Sequence, residues 1–134
     1  MPEKNNSTFL GFDYGLKRIG ISIGNTISGK ASPLKILHQK TLNGGFKAAK
    51  EEILLWDPEL VVVGCPSNID GSVHPFAHKC EKFARKINIE TNKKVRLVDE
   101  SYTSALSKGE SYDDARAATL ILQAFLNELF AADK

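Results

Sequence analysis

Cysteine is scarce in this chain. Cys65 and Cys80 are the two in 134 residues. They cannot form a disulfide framework, so a reduced, cytoplasmic setting is the expectation. Long apolar runs are also missing. The longest fall far short of the ~20 residues that cross a bilayer, so no membrane association is expected. The opening Met1-Pro2-Glu3-Lys4-Asn5-Asn6-Ser7-Thr8 has no apolar core of the kind a signal peptide needs. Residues 1–7 read as a loose tail. Neither sign of charge dominates: 18 Lys and Arg stand against 16 Asp and Glu, a net charge of +2. That balance, with a pI near 8.5, permits a polyanionic partner without demanding one. No repeat, low-complexity segment or linker divides the sequence, which reads as a single domain over residues 1–134.

What is present is ordinary in bulk, 42% hydrophobic and 25% charged, the composition of a globular domain. The informative stretch is Phe9-Leu10-Gly11-Phe12-Asp13-Tyr14-Gly15-Leu16-Lys17-Arg18-Ile19-Gly20-Ile21-Ser22-Ile23-Gly24. It reads as two apolar strands joined by a tight turn, with an aspartate near the end of the first. A carboxylate there is costly unless something pairs with it. Gly15 and Gly20 let backbone approach a ligand, and Lys17-Arg18 place positive charge beside it. This strand-Asp-x-Gly-turn-strand opening resembles two fold groups. The actin-like and sugar-kinase ATPases close two domains around a nucleotide, which 134 residues cannot supply. The ribonuclease H-like nucleases, where the aspartate holds metal ions, remain.

Periodicity organises the rest. Strands are expected at residues 8–14, 18–25, 31–39, 59–64 and 94–99. Pro33 marks the third as an edge strand. Helices are expected at about 46–56, 73–88 and 113–131. The first would bury Phe46, Ala49, Ile53 and Trp56, and the last Ala117, Leu120, Ile121, Ala124, Phe125 and Leu129. A three-strand meander followed by two strand–helix crossovers gives an α/β fold: a mixed five-stranded sheet with helices on both faces, the ribonuclease H-like layout. Ligands gather at the carboxyl ends of strands in such sheets.

Three acids fall at element ends: Asp13 after the first strand, Glu100 after the fifth, and Asp114 at the start of the last helix. Clustered carboxylates repel one another without cations. They suit one or two Mg²⁺ or Mn²⁺ ions, which prefer oxygen ligands and can drive phosphodiester hydrolysis. Each acid has a plainer reading: Asp13 as a turn former, Asp114 as a first-turn helix acid, Asp99-Glu100 as solvated strand-end charges, with Asp99 the alternative ligand. The functional reading rests on the three together. Ser67 and Asn68, in the loop after the fourth strand, could bond phosphate or sugar, or the loop could simply turn the chain. His74, His78 and Cys80 resemble a zinc set but lack a fourth ligand. Lys79, Lys82, Arg85, Lys86, Lys93 and Lys94 form a basic stretch that reads either as a solvated face or as a nucleic-acid surface.

Four motifs in order carry a resemblance to the YqgF/RuvX family over residues 9–126. They are Phe12-Asp13-Tyr14-Gly15-Leu16-Lys17-Arg18-Ile19-Gly20-Ile21, Val63-Gly64-Cys65-Pro66-Ser67-Asn68-Ile69-Asp70-Gly71-Ser72, Asp99-Glu100, and Asp114-Ala115-Arg116-Ala117-Ala118-Thr119-Leu120-Ile121-Leu122-Gln123. These are small ribonuclease H-like proteins, related in fold to the RuvC Holliday junction resolvase and described as pre-16S rRNA nucleases. The resemblance implies Asp13, Glu100 and Asp114 as metal-binding catalytic acids and Lys17, Arg18 and Asn68 as substrate contacts. It implies a metal-dependent nuclease acting on pre-16S rRNA, with the ribosomal particle as a partner and a monomeric or homodimeric state. The alternatives are a resolvase of branched DNA, which needs a dimer, and a non-cleaving nucleic-acid or ribosome-assembly protein. Two departures stand out. Ser101 replaces the family's usual arginine, and the stretch between Glu100 and Asp114 is shorter than usual.

Overall fold

The computed structural model describes residues 8–15, 17–39, 44–65, 75–99 and 115–132. Along them run β1 (Thr8–Tyr14), β2 (Arg18–Asn25), β3 (Lys30–His38), α1 (Gly44–Trp56), β4 (Leu60–Cys65), α2 (Ala77–Thr91), β5 (Val95–Asp99) and α3 (Arg116–Ala132). The strands form one five-stranded sheet in the order β3-β2-β1-β4-β5. β1, β2 and β3 pair antiparallel, while β4 joins β1, and β5 joins β4, in parallel. The mixed α/β sheet expected from the sequence is therefore present, with β1 at its centre.

Pro33 lies where the sequence places it, on the edge strand. The ladder with β2 shifts there: Ile21 pairs with Lys35 and Ser22 with Pro33. The bulge leaves Leu34 without a partner, next to Pro33, which cannot donate a ladder hydrogen bond.

Alternation divides the sheet into two rows. Leu10, Phe12, Ile19, Ile21, Val61 and Val63 pack against Ala49 and Ile53 of α1 and Phe83, Ala84 and Ile87 of α2. Phe9 and Val62 pack on the other side against Ile121, Leu122 and Leu126 of α3. Helices thus cover both faces. Among the described residues no helix is long and apolar enough to cross a membrane.

The helix boundaries and faces differ from expectation in instructive ways. α1 ends at Trp56, whose side chain is 41% exposed rather than buried. The chain turns away immediately, through Asp57 at φ 48°. α2 begins at Ala77, after a turn at Pro75 and Phe76. It runs on to Thr91, where Asn92 takes the left-handed conformation and donates its N–H to Asn88 O. On α3 the buried row is Ala115, Ala118, Ile121, Leu122 and Leu126. Of the expected face only Ile121 is fully buried, and Ala117, Leu120, Ala124, Phe125 and Leu129 are partly exposed.

Candidate active site

Asp13 sits near the carboxyl end of the central strand. The register pairs it with Gly20 on β2 and Gly64 on β4. Its row, Phe9, Gly11 and Asp13, faces α3. The half-buried carboxylate is thus flanked on both sides by residues without a side chain. The start of α3 lies directly over this gap. A Cβ built on Gly20 would stand 3.8 Å from Asp13 Cβ, 3.8 Å from Ala115 Cα and 3.6 Å from Ala118 Cβ.

The close approach of α3 follows from the residues beneath it. A Cβ at Gly11 would lie 2.8 Å from Leu122 Cβ, closer than packed atoms come, so only glycine leaves room. Ser22 is fully buried. Its hydroxyl donates to Ala118 O at 2.7 Å, which satisfies the hydroxyl and holds the helix to β2. Farther along, Gln123 Nε2 donates to Gly29 O at 2.7 Å and its Oε1 accepts from Ala31 N at 2.8 Å. These contacts set where α3 lies along the sheet, and so where its first residues meet Asp13.

The turn after β1 exposes Lys17 and Arg18. Gln39, which the sequence did not single out, holds it. Its backbone N–H donates to Lys17 O at 2.8 Å and its side chain donates to Gly15 O. The signal in the sequence was Gly44-Gly45: a Cβ at Gly45 would collide with the Gln39 side chain. Tyr14 closes the same edge. Its ring stacks on Phe83 at 4.5 Å and on Phe76 at 5.7 Å, tying the start of α2 to the residue after Asp13.

Glu100, Asp114 and Asn68 lie outside the described residues. Asp99 pairs in register with Cys65. It therefore belongs to the Val61, Val63 and Cys65 parity, opposite to Asp13. The even positions of β5 face α3: Arg96 lies over the Phe125 ring at 5.7 Å, and Val98 packs with the α3 cluster. Of the zinc-like set, His74 lies outside the described residues, His78 is exposed and Cys80 is buried. Among the described residues no group of three His, Cys, Asp or Glu side chains could hold a metal ion.

A family model described as "RuvX: Holliday junction resolvase" matches residues 7–128. The chain belongs to the RuvX family. A "Putative pre-16S rRNA nuclease" from Paraburkholderia phytofirmans is 36% identical over 137 residues, covering 96% of this chain and 94% of that protein. A protein of the same name from Burkholderia pseudomallei is 37% identical over 132 residues, covering 92% of this chain and 90% of its own length. Among solved structures, T. thermophilus RuvC in complex with a Holliday junction substrate superposes with a TM-score of 0.61 at 12% identity, over 92% of this chain and 96% of RuvC. The Fowlpox virus resolvase bound to Holliday junction DNA gives 0.60 at 14% identity, over 91% of this chain and 98% of the resolvase. The RuvX chain thus shares the RuvC-like, ribonuclease H-type fold of these structures.

Proposed function

We propose that this RuvX chain is a metal-dependent nuclease that cuts phosphodiester bonds in structured RNA, in maturation of the 5′ end of pre-16S rRNA in the cytoplasm. The observation that carries the reading is Asp13, held at the carboxyl end of the central strand between Gly20 and Gly64, with the start of α3 over it. The names of the relatives support the substrate. A hard, half-buried carboxylate flanked by two glycines fits Mg²⁺ or Mn²⁺. Glu100 and Asp114 complete the proposed ligand set. Glu100 directly follows Asp99, the last residue of β5. Asp114 directly precedes Ala115, which stands beside Gly20. When bound, the cation supplies an activated water and charge stabilisation for the leaving oxygen.

The chain's own residues orient the substrate. Lys17 and Arg18 meet phosphates on a turn that Gln39 keeps in place, and Asn68 contacts phosphate or sugar. The products are a 3′-hydroxyl and a 5′-phosphate. Ser101, in place of the family's usual arginine, removes a bidentate phosphate contact; the ribosomal particle supplies the missing binding energy.

The test is cleavage of pre-16S rRNA and four-way DNA side by side with Mn²⁺. Cleavage of the RNA is expected from the unmodified chain, and none from Asp13→Asn at unchanged fold. Retained activity in highly purified Asp13→Asn sinks the assignment. Symmetric cuts in four-way DNA by a dimer would instead make it a resolvase, and metal-independent binding without cleavage a binding protein. Changing Lys17 and Arg18 together to Ala should lower the salt slope of single-stranded RNA binding by about 1.4, two cations at ~0.7 each. An unchanged slope would place the turn off the phosphate path.

A further inference from the structure

We infer that the solvent face of α2 is a second phosphate-binding surface, which carries the nucleic acid onward from the edge where Asp13 sits. The inference rests on the nuclease reading and names the path of its substrate. α2 buries Ala77, Cys80, Phe83, Ala84 and Ile87. At about 100° per residue, Lys79, Lys82, Arg85 and Lys86 fall within roughly 120° on the opposite side of the helix. Lys79, Lys82 and Arg85 are exposed. The ammonium of Lys86 lies 4.4 Å from the centroid of the Phe46 ring, a cation–π contact that holds it in place. No acid lies within that arc. Glu81 flanks it, and Glu90 is already engaged with Lys50 at 3.1 Å.

Three cations elsewhere on the molecule have acid partners. Lys35 pairs with Glu52, Lys50 with Glu90 and Lys93 with Asp57. Lys79, Lys82 and Arg85 form no ion pair among the described residues. Uncompensated like charges on one helix face repel, and a polyanion relieves that repulsion. The direction of the helix supplies the continuity. α2 starts at the same edge as Asp13, because Phe76 stacks on Tyr14. From Lys79 to Lys86 the face advances about 10 Å along the helix axis. A strand bound at Lys17 and Asp13 therefore rounds the sheet edge at Tyr14, from the α3 face to the α2 face, to reach Lys79 and Lys82.

The experiment compares two triple variants with the same net charge. Lys79→Ala, Lys82→Ala and Arg85→Ala strip the α2 face. Lys35→Ala, Lys50→Ala and Lys93→Ala remove three paired cations. Binding of a labelled single-stranded RNA of about thirty nucleotides is measured across salt concentrations, with circular dichroism to establish folding. The α2 variant should lose about 2 from the slope of log affinity against log salt, three cations at ~0.7 each, and the control less than 1. Cleavage of an RNA too short to reach α2 should be the same in both. Equal slopes in the two variants, an unchanged slope in the α2 variant, no measurable RNA binding by the unmodified chain, or a change in self-association alone would overturn the proposal. Cleavage by the unmodified chain scores the nuclease reading separately. Cleavage with an unchanged slope removes the α2 surface only; a reduced slope without cleavage keeps the surface and removes the nuclease.

Discussion

Toward α1 and α2, the central strands present Leu10, Phe12, Ile19, Ile21, Val61 and Val63, all fully buried. Toward α3, the same strands present Phe9 and Val62 at one end and otherwise the small residues Gly11, Gly20, Ser22, Gly24 and Gly64. One face is thick: large side chains keep the helices at a distance and bury apolar area, at about 1.5–3 kcal/mol for each large residue. The other is thin, and a helix rests almost on the backbone. The thick face supplies most of the stability. The thin face supplies position, because α3 must come close for its first residues to reach Asp13. The thick face should suffer from lost atoms and the thin one from added atoms.

The largest expected effect is on the thick side. Phe12 is fully buried and meets Phe83 edge-on at 5.8 Å. Phe12→Ala should cost about 3–5 kcal/mol in urea unfolding. A loss below about 1 kcal/mol would mean that this face is not where the stability lies. Next comes Gly11→Ala on the thin side. Strand propensity alone favours alanine over glycine by about 0.5–1 kcal/mol. The new methyl would meet Leu122 Cβ at 2.8 Å and Ser22 Oγ at 2.6 Å, and overpacking of this kind costs about 1–3 kcal/mol. The sign of the change decides between propensity and close approach.

The same contrast separates what the sequence showed from what it hid. The strands were legible because alternation such as Ile19, Ile21 and Ile23 is local, and the edge role of β3 was legible from Pro33. Asp13 was legible as an acid at the end of a strand, and its central place follows from the strand order. The buried row of α3 was not. A helical pattern read by hydrophobicity picks out Leu120, Phe125 and Leu129. The structure buries Ala118, Leu122 and Leu126 instead, because the gaps at Gly11 and Gly24 receive them. The face of a helix is set here by the surface it meets, 90 or more residues away in sequence, as the Ser22–Ala118 hydrogen bond shows at a separation of 96. Gln39 was missed for the same reason. Its role depends on a turn twenty-odd residues earlier and on the glycine opposite it.

A smaller effect comes from Ser22→Ala, which removes the hydrogen bond to Ala118 O. The expected cost is about 1 kcal/mol, since that carbonyl also belongs to the helix ladder. Combining it with Gly11→Ala removes one of the two collisions that the new methyl makes. Denaturation of the single and double variants should then give a double-mutant coupling in which the pair costs less than the sum. Strict additivity would show that Ser22 and Gly11 do not share one tolerance.

Gly20→Ala should have the smallest effect on stability and is the sharpest probe of the thin face. Its methyl would sit at ordinary contact distances, 3.6 Å from Ala118 Cβ and 3.8 Å from both Ala115 Cα and Asp13 Cβ. Nothing has to move, and alanine restricts the unfolded chain, so unfolding free energy should stay level or rise by up to about 1 kcal/mol. The same methyl fills space beside the Asp13 carboxylate, where the proposed cation and scissile phosphate would lie. Cleavage should therefore fall while the melting temperature holds, the reverse of the pattern expected for Phe12→Ala. If Gly20→Ala cuts as well as the unmodified chain, the glycine beside Asp13 serves helix packing alone, and the room it leaves is not part of the catalytic site.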